Sequence, residues 1–448
     1  PEWRVAVGDA MMTIGDDVAA EAWLNGVTPG TKQTTQDAPP PAVEPTRFSP
    51  SAIRAIKKLT GTWLDPKYLK LTPPPGLTGE FVNAVSSSMY RPFLPLALPA
   101  AFSCLSGMTA QRWKFQGMGA VLQYIIGAKS GVGKTEALSG AKRLLQEIIQ
   151  SSRTAESDHN GGFMYHPMKS IDIDSRQGLH GRLQEDSCFS WTSEEGEKML
   201  NRMNGKDHNA SVVRGFVLEA YDLSRSDVEF HPSDSIAGKG RRDRVLMNVS
   251  ISLLWAMPDD VLSQYMSETF LATGFGQRAL VMIHRLAGGA PQDPEKQLRQ
   301  LPQGPLRESI RTIMRLRQEL MMMLTQLPLE YVEAVRAAKK ADAAPPPIPP
   351  QPDLSEHNIT VHCDAEARDL LRAARQAVDA FIDDVNNEVG HFPAVYAAFG
   401  RIVLNAQRHA QNMAVLENPI NPVIRGEQVA WSLGYVLQLV ASMVTAFD

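Results

Sequence analysis

Apolar and polar residues change rhythm three times along this chain. Over residues 77–108 apolar residues recur at helical spacing, which predicts two helices. The second falls on the apolar run 93–105, with Pro95 and Pro99 expected to break it. Over 121–285 short continuous apolar runs alternate with amphipathic stretches. Strands are expected at 122–126, 188–192, 246–257 and 279–284, and helices at 135–150, 195–203 and 259–267. Uninterrupted apolar strands alternating with helices predict a parallel sheet covered on both faces. From residue 303 the pattern is helical again. Residues 303–341 read as one long helix or a helix pair, 359–362 as a short strand, and 364–387, 395–416 and 426–447 as helices. The fold class is α/β, flanked by an N-terminal helical region and a mostly α C-terminal region.

The last helix needs a membrane check. Residues 429–447 carry no charge and would nearly span a bilayer. Ser432, Tyr435, Gln438, Ser442 and Thr445 nevertheless recur every three or four positions as a polar stripe. A packed protein helix is therefore expected, with no membrane partner.

Punctuation divides the chain. Residues 1–30 read as the tail of a preceding module without a signal-peptide pattern, and 31–50, rich in Thr, Pro and Gln, as a linker. An N-terminal helical region (51–118), an α/β core (119–300) and a helical segment (301–342) follow. The Pro-rich connector 343–353 then leads to a C-terminal helical domain (354–448). A length of 448 residues suits about three domains. Cys104, Cys188 and Cys363 stand far apart, which excludes a disulfide framework or zinc ribbon and suits a reducing cytoplasm. The net charge of −4 excludes a basic coat protein, so any nucleic-acid contact must come from a local patch.

The strongest chemical signal is the segment 127–135, Gly-Ala-Lys-Ser-Gly-Val-Gly-Lys-Thr. It fits a phosphate loop: a small residue (Ala128), four variable positions (Lys129, Ser130, Gly131, Val132), then Gly133, Lys134 and Thr135. Glycines let backbone N–H groups turn toward phosphate oxygens. Lys134 would reach the β- and γ-phosphates of ATP. Thr135 would ligate Mg²⁺, and Glu136, the last residue of the expected nucleotide-binding set, would continue the helix whose N-terminus faces the anion. The expected strand before and helix after the loop are the context this motif requires.

Such a loop needs a carboxylate at the end of another strand. Glu194 and Glu195 follow the apolar run 188–192, Glu194 in the metal-side place and Glu195 as general base. Both would otherwise only begin the next helix, where acids suit the helix dipole. Arg278, after the turn Gly274-Phe275-Gly276, is a candidate finger toward a neighbouring subunit's γ-phosphate, or a surface ion-pair residue. Lys239, Arg241, Arg242 and Arg244 lie on a Gly-containing basic loop suited to a DNA backbone. The ten histidines form no metal-ligand spacing, so Mg²⁺ is the one metal expected. No polar sensor is identifiable at the strand end Ala256-Met257-Pro258, since Asn248, Ser250 and Ser252 lie upstream of it.

The order of several segments resembles a bacterial and phage family, domain of unknown function 3987, a primase-associated helicase group. They are Pro75-Gly76-Leu77, residues 95–112, the phosphate loop, Ser193-Glu194-Glu195-Gly196, Tyr221-Asp222, Met257-Pro258, Gly274–Arg278, Gly400-Arg401 and 405–410. The resemblance covers roughly residues 71–447. It implies a RecA-like P-loop core, often behind a primase-type module, to whose tail 1–30 would belong. Two departures stand out: Glu-Glu where the family has Asp-Glu, and His409 where it has a core leucine.

The expected function is an ATP-dependent helicase or translocase of bacterial or phage DNA replication. It would act as a homo-oligomeric, hexameric ring on single-stranded or forked DNA in the cytoplasm. The alternatives are an ATP-dependent DNA-binding switch in transposition or anti-phage defence, and a small-molecule P-loop kinase. The large helical flanks and the basic loop argue against the last.

Overall fold

The computed structural model describes residues 59, 64, 66–150, 166–171, 176–204, 214–215, 217–219, 221, 224, 229–230, 245–266, 270, 274–284, 291, 304–325, 327–341, 343–347, 349–350, 352–389 and 394–447. Five strands form the central sheet: β1 (Gln123–Ala128), β2 (Met168–Ser170), β3 (Cys188–Ser193), β4 (Ser250–Met257) and β5 (Leu280–His284). Their order is β2-β3-β4-β1-β5, with every neighbour parallel. All residues of β1 and β4 are buried, as continuous apolar strands require when both faces are covered.

The helices are α1 (Gly76–Ser87), α2 (Leu94–Thr109), α3 (Lys134–Gln150), α4 (Arg176–Glu185), α5 (Gly196–Asn204), α6 (Asp259–Tyr265), α7 (Phe275–Arg278), α8 (Pro305–Thr325), α9 (Leu329–Lys340), α10 (Ala365–Val389), α11 (Ile402–Glu417) and α12 (Gly426–Phe447). One face of the sheet carries α2, with α1, α3, α8 and α11 packed around it and α12 against β5. The other face carries α5 and α6. The protein is thus mixed α/β with a parallel sheet.

Helix α2 explains how so thick a layer fits. It is mostly apolar and buried from Pro95 to Thr109, as a helix enclosed on every side should be. The expected breaks at Pro95 and Pro99 do not occur. Pro95 lies in the first turn, where a missing N–H costs nothing, and the helix carries Pro99 in its second turn. Small residues bring α2 close to the sheet. A Cβ on Gly107 would lie 2.6 Å from the Pro167 carbonyl oxygen and 2.8 Å from the Ser190 nitrogen. Ser103 and Ser106 hydrogen-bond Ser190 of β3 and Ser252 of β4, so these buried strand hydroxyls serve packing.

Three further expectations are corrected. The strand expected over 246–257 is interrupted at Asn248, whose φ of 54° leaves the extended region, so that Leu246–Met247 pairs separately with Glu229–Phe230. The strand 359–362 splits into Ile359–Thr360, paired with Trp113–Lys114, and His362–Cys363, paired with Val423–Ile424. The helix 395–416 begins as a 3₁₀ stretch, Ala394–Arg401, before α11. Residues 303–341 form a pair, α8 and α9, divided before Pro328.

The buried cluster is continuous across residue 354. Ala406, Ala410, Leu433 and Val436 of the C-terminal helices belong to the same buried cluster as Leu122, Tyr124 and Phe102. Helix α12 is long and apolar enough to cross a membrane, yet 89% of its apolar window is buried in the protein. Its polar stripe has protein partners: Gln438 donates to the Leu69 carbonyl at 2.8 Å, and Ser442 accepts from the Ile283 N–H at 3.0 Å. Residues 1–50 lie outside the described residues.

Candidate functional site

The phosphate-loop segment sits where β1 ends and α3 begins, at the carboxyl edge of the sheet. Strand β1 continues through Ala128, two residues beyond the expected end. Ala128 and Val132 are buried anchors, and Lys129, Ser130 and Gly131 between them are exposed. Gly131 and Gly133 have φ of 79° and 97°, which L side chains rarely adopt. A Cβ on Gly131 would meet nothing within 4 Å, so its backbone faces open space. The Ala137 N–H donates to the Gly133 carbonyl at 2.9 Å, starting α3 directly from the loop.

Lys134 crosses the mouth of this loop. Its Nζ donates to the carbonyls of Ala128 and Lys129, the latter at 2.9 Å. Burial lowers the pKa of its ammonium, and the carboxylates of Asp259 and Asp260 oppose that shift. These aspartates form the first turn of α6, immediately after β4. They are the polar groups nearest the strand end Ala256-Met257-Pro258, which itself carries none. Two acids directly after the apolar run were the available signal.

Thr135 Oγ1 donates to Glu194 Oε2 at 2.9 Å. The contact bridges two strands that are not neighbours, since β4 lies between β1 and β3. At about 4.8 Å per strand, the carboxylate reaches across roughly 10 Å of sheet. Gly196 makes this possible. A Cβ there would lie 2.8 Å from Trp255 Cβ and 2.9 Å from Met257 Cε, so α5 begins tight against β4. Glu195 is exposed and paired with Lys198 one helical turn on. The pocket between loop and carboxylates measures about 510 Å³ and brings together Ser130, Gly131, Lys134, Thr135, Glu194 and Glu195. Glu136 and Lys198 also line it.

Arg278 is not brought there. His284, at the far end of β5, pairs in register with Ala128, which puts Arg278 more than about 13 Å down the sheet from the loop. Its guanidinium donates to the Gly274 carbonyl at 3.1 Å and lies 5.8 Å from the Tyr221 ring centroid. Lys239, Arg241, Arg242 and Arg244 lie outside the described residues.

His409 has a structural explanation. It is fully buried, its Nδ1 lies 2.7 Å from the Asn405 carbonyl and its Nε2 hydrogen-bonds the hydroxyl of Tyr124 in β1. A carbonyl only accepts, so Nδ1 carries the proton and Nε2 accepts from the tyrosine. Phosphate-loop strand and C-terminal helices are thus joined by a polar bond inside an apolar layer.

The donor set at Thr135 and Glu194, one hydroxyl and one carboxylate, is all oxygen and therefore suits Mg²⁺. Comparison with protein-family models and with curated proteins gives no match.

Proposed function

We propose that this chain is an Mg²⁺-dependent P-loop ATPase acting on single-stranded DNA. The contact of Thr135 with Glu194 at 2.9 Å, beside Lys134 and under a glycine loop of positive φ, carries the nucleotide reading. A turn that was Gly-rich by chance would have no reason to meet a carboxylate two strands away.

In this reading the loop N–H groups and Lys134 bind the triphosphate, and Lys134 exchanges its two loop carbonyls for phosphate oxygens. Thr135 and Glu194 would hold Mg²⁺, which neutralises charge on the phosphates. Glu195, released from Lys198, orients and deprotonates the attacking water. Binding across the carboxyl ends of parallel strands matches the general rule for α/β sheets. One strand between the loop strand and the acid strand suits a RecA-like core, and with the resemblance to the primase-associated helicase group it favours a homo-oligomeric, hexameric motor. The basic loop 236–244 would contact the DNA backbone. In such a ring Arg278 would serve a neighbouring subunit's site, since its own lies too far away.

A second reading, an ATP-dependent DNA-binding switch, is favoured by the engagement of Arg278 with Gly274 and Tyr221 of its own chain. Steady-state ATPase activity with and without single-stranded DNA separates the two, with Lys134→Ala as control. Strong stimulation supports the motor, to be followed by strand displacement. Turnover indifferent to DNA supports the switch, and no turnover above the Lys134→Ala background refutes both.

A further inference from the structure

The proposed site has residues for phosphates and metal but none yet assigned to the base. The carboxylates fix one end of a bound triphosphate, because Glu194 and Glu195 must face the γ-phosphate and its attacking water. The nucleoside therefore leaves on another side of the loop, past the first turn of α3.

Gly133, Glu136 and Gly140 share one face of α3, a turn or two apart, distinct from the face of Thr135. That face is covered by the segment joining α1 to α2. A Cβ on Gly133 would lie 2.9 Å from Met89 Cε, and one on Gly140 would lie 2.3 Å from Ser88 Oγ. Between these contacts the Tyr90 N–H donates to Glu136 Oε2 at 2.7 Å. Glu136 itself lines the pocket, so the Tyr90 backbone lies one hydrogen bond away from it.

Tyr90 is unusual for its place. Its neighbours Met89 and Phe93 are fully buried, and Phe93 packs its ring 4.4 Å from that of His284 at the end of β5. Tyr90 itself is 40% exposed, one of few large apolar side chains so placed among the described residues. Its ring has no aromatic or cationic partner there. A short segment pinned on both sides thus presents a bare aromatic face beside the start of the phosphate-binding helix. Stacking on such a face is how proteins hold nucleobases without reading their edges.

We infer that Tyr90 is the stacking platform for the base of the bound nucleotide. The inference rests on the nucleotide reading above and deepens it: the ligand is a nucleoside triphosphate held at both ends. Equilibrium binding of the β,γ-imido analogue of ATP, with inorganic tripolyphosphate as competitor, tests it. Tyr90→Ala should weaken the analogue about tenfold, within the range of base–aromatic stacking, and leave tripolyphosphate unchanged. Tyr90→Phe and Tyr90→Trp should keep the parental affinity for both. Unchanged analogue binding by Tyr90→Ala overturns the inference, and so does parallel loss of both ligands, which would mark a structural role for the segment. If the parent binds neither ligand, or Lys134→Ala binds both as well as the parent, the nucleotide reading itself has failed.

Discussion

Replacing His409 by leucine and Tyr124 by phenylalanine together should make the fold less sensitive to acid. His409 lies in a layer with Phe102, Tyr124 and Tyr435, whose rings surround it with centroids at 4.7, 5.9 and 5.3 Å. Burial holds its pKa down to about 4, against an ordinary value of 6.5, and the bond to the Asn405 carbonyl only partly offsets this. Above pH 6.5 the imidazole is neutral in both folded and unfolded chains, so it adds no pH dependence. As pH falls from 6.5 toward 4 the unfolded chain takes up a proton that the folded chain refuses, and stability drops. The full window amounts to about 3 kcal/mol, at 1.36 kcal/mol per unit. At pH 5 roughly 2 kcal/mol of it is already lost. The tyrosines facing His409 do not titrate in this window, since burial raises both Tyr124 and Tyr435. The double change is used because His409→Leu alone removes the Nε2 acceptor of the Tyr124 hydroxyl, leaving the Tyr435 hydroxyl beside it. Urea unfolding at pH 7 and pH 5 measures the effect. The parent should lose about 2 kcal/mol more between the two than the double variant does. His284, also lowered to about 4 by burial, titrates in both proteins and cancels in the comparison. Equal losses would refute the assignment of a neutral, proton-refusing His409.

The other predictions concern the site and its supports. Glu195→Gln should keep ATP binding and slow turnover at least about a hundredfold, as loss of a general base does; parental hydrolysis would remove Glu195 from that role. Arg317→Ala should cost about 3–5 kcal/mol in urea unfolding, because it leaves Asp186 buried with Lys169 as its remaining ion-pair partner among the described residues. A loss under about 1 kcal/mol would show that the Asp186 pocket admits water. Arg278→Ala should abolish turnover in the ring while sparing ATP binding and melting temperature, whereas normal turnover would make it a packing residue for Tyr221. Neutralising Lys239, Arg241, Arg242 and Arg244 together should weaken DNA binding and flatten its dependence on salt, and unchanged binding would return that loop to an ordinary solvated surface.

What the chain reveals by inspection is what local backbone chemistry dictates. The turn between β1 and α3 was legible because Gly131 and Gly133 adopt a positive φ that glycine takes without strain. Strands β1, β3, β4 and β5 were legible because apolar residues dominate them, whereas the three-residue β2, Met-Lys-Ser, carries no such run. Other features depend on partners far away in the chain. Pro99 reads as a break, but α2 is enclosed by tertiary packing that outweighs the lost hydrogen bond. Ser250 and Ser252 read as unassigned polar groups in a strand, but α2 supplies the Ser106 partner of Ser252 from 146 residues away. His409 reads as a departure from a core leucine until Tyr124, 285 residues earlier, supplies its hydroxyl.

The same distinction bears on how the site is assembled. Glu194 directly follows β3, whose apolar run marks the strand in the sequence, yet its contact with Thr135 depends on Gly196, whose missing Cβ lets α5 press against Trp255 and Met257. Enlarging Gly196 to alanine would push the start of α5 off β4 and carry both glutamates away from the loop. The motif residues would all still be present, but the oxygen pair suited to Mg²⁺ would not form. On the proposed reading Gly196 would act on the site without touching nucleotide, through the positions of Glu194 and Glu195. Metal-dependent nucleotide affinity is the matching readout: Gly196→Ala should reduce the Mg²⁺ enhancement of ATP binding while leaving the metal-free component intact. An undiminished enhancement would mean that the glutamates reach the loop by some route other than the close packing of α5 on β4.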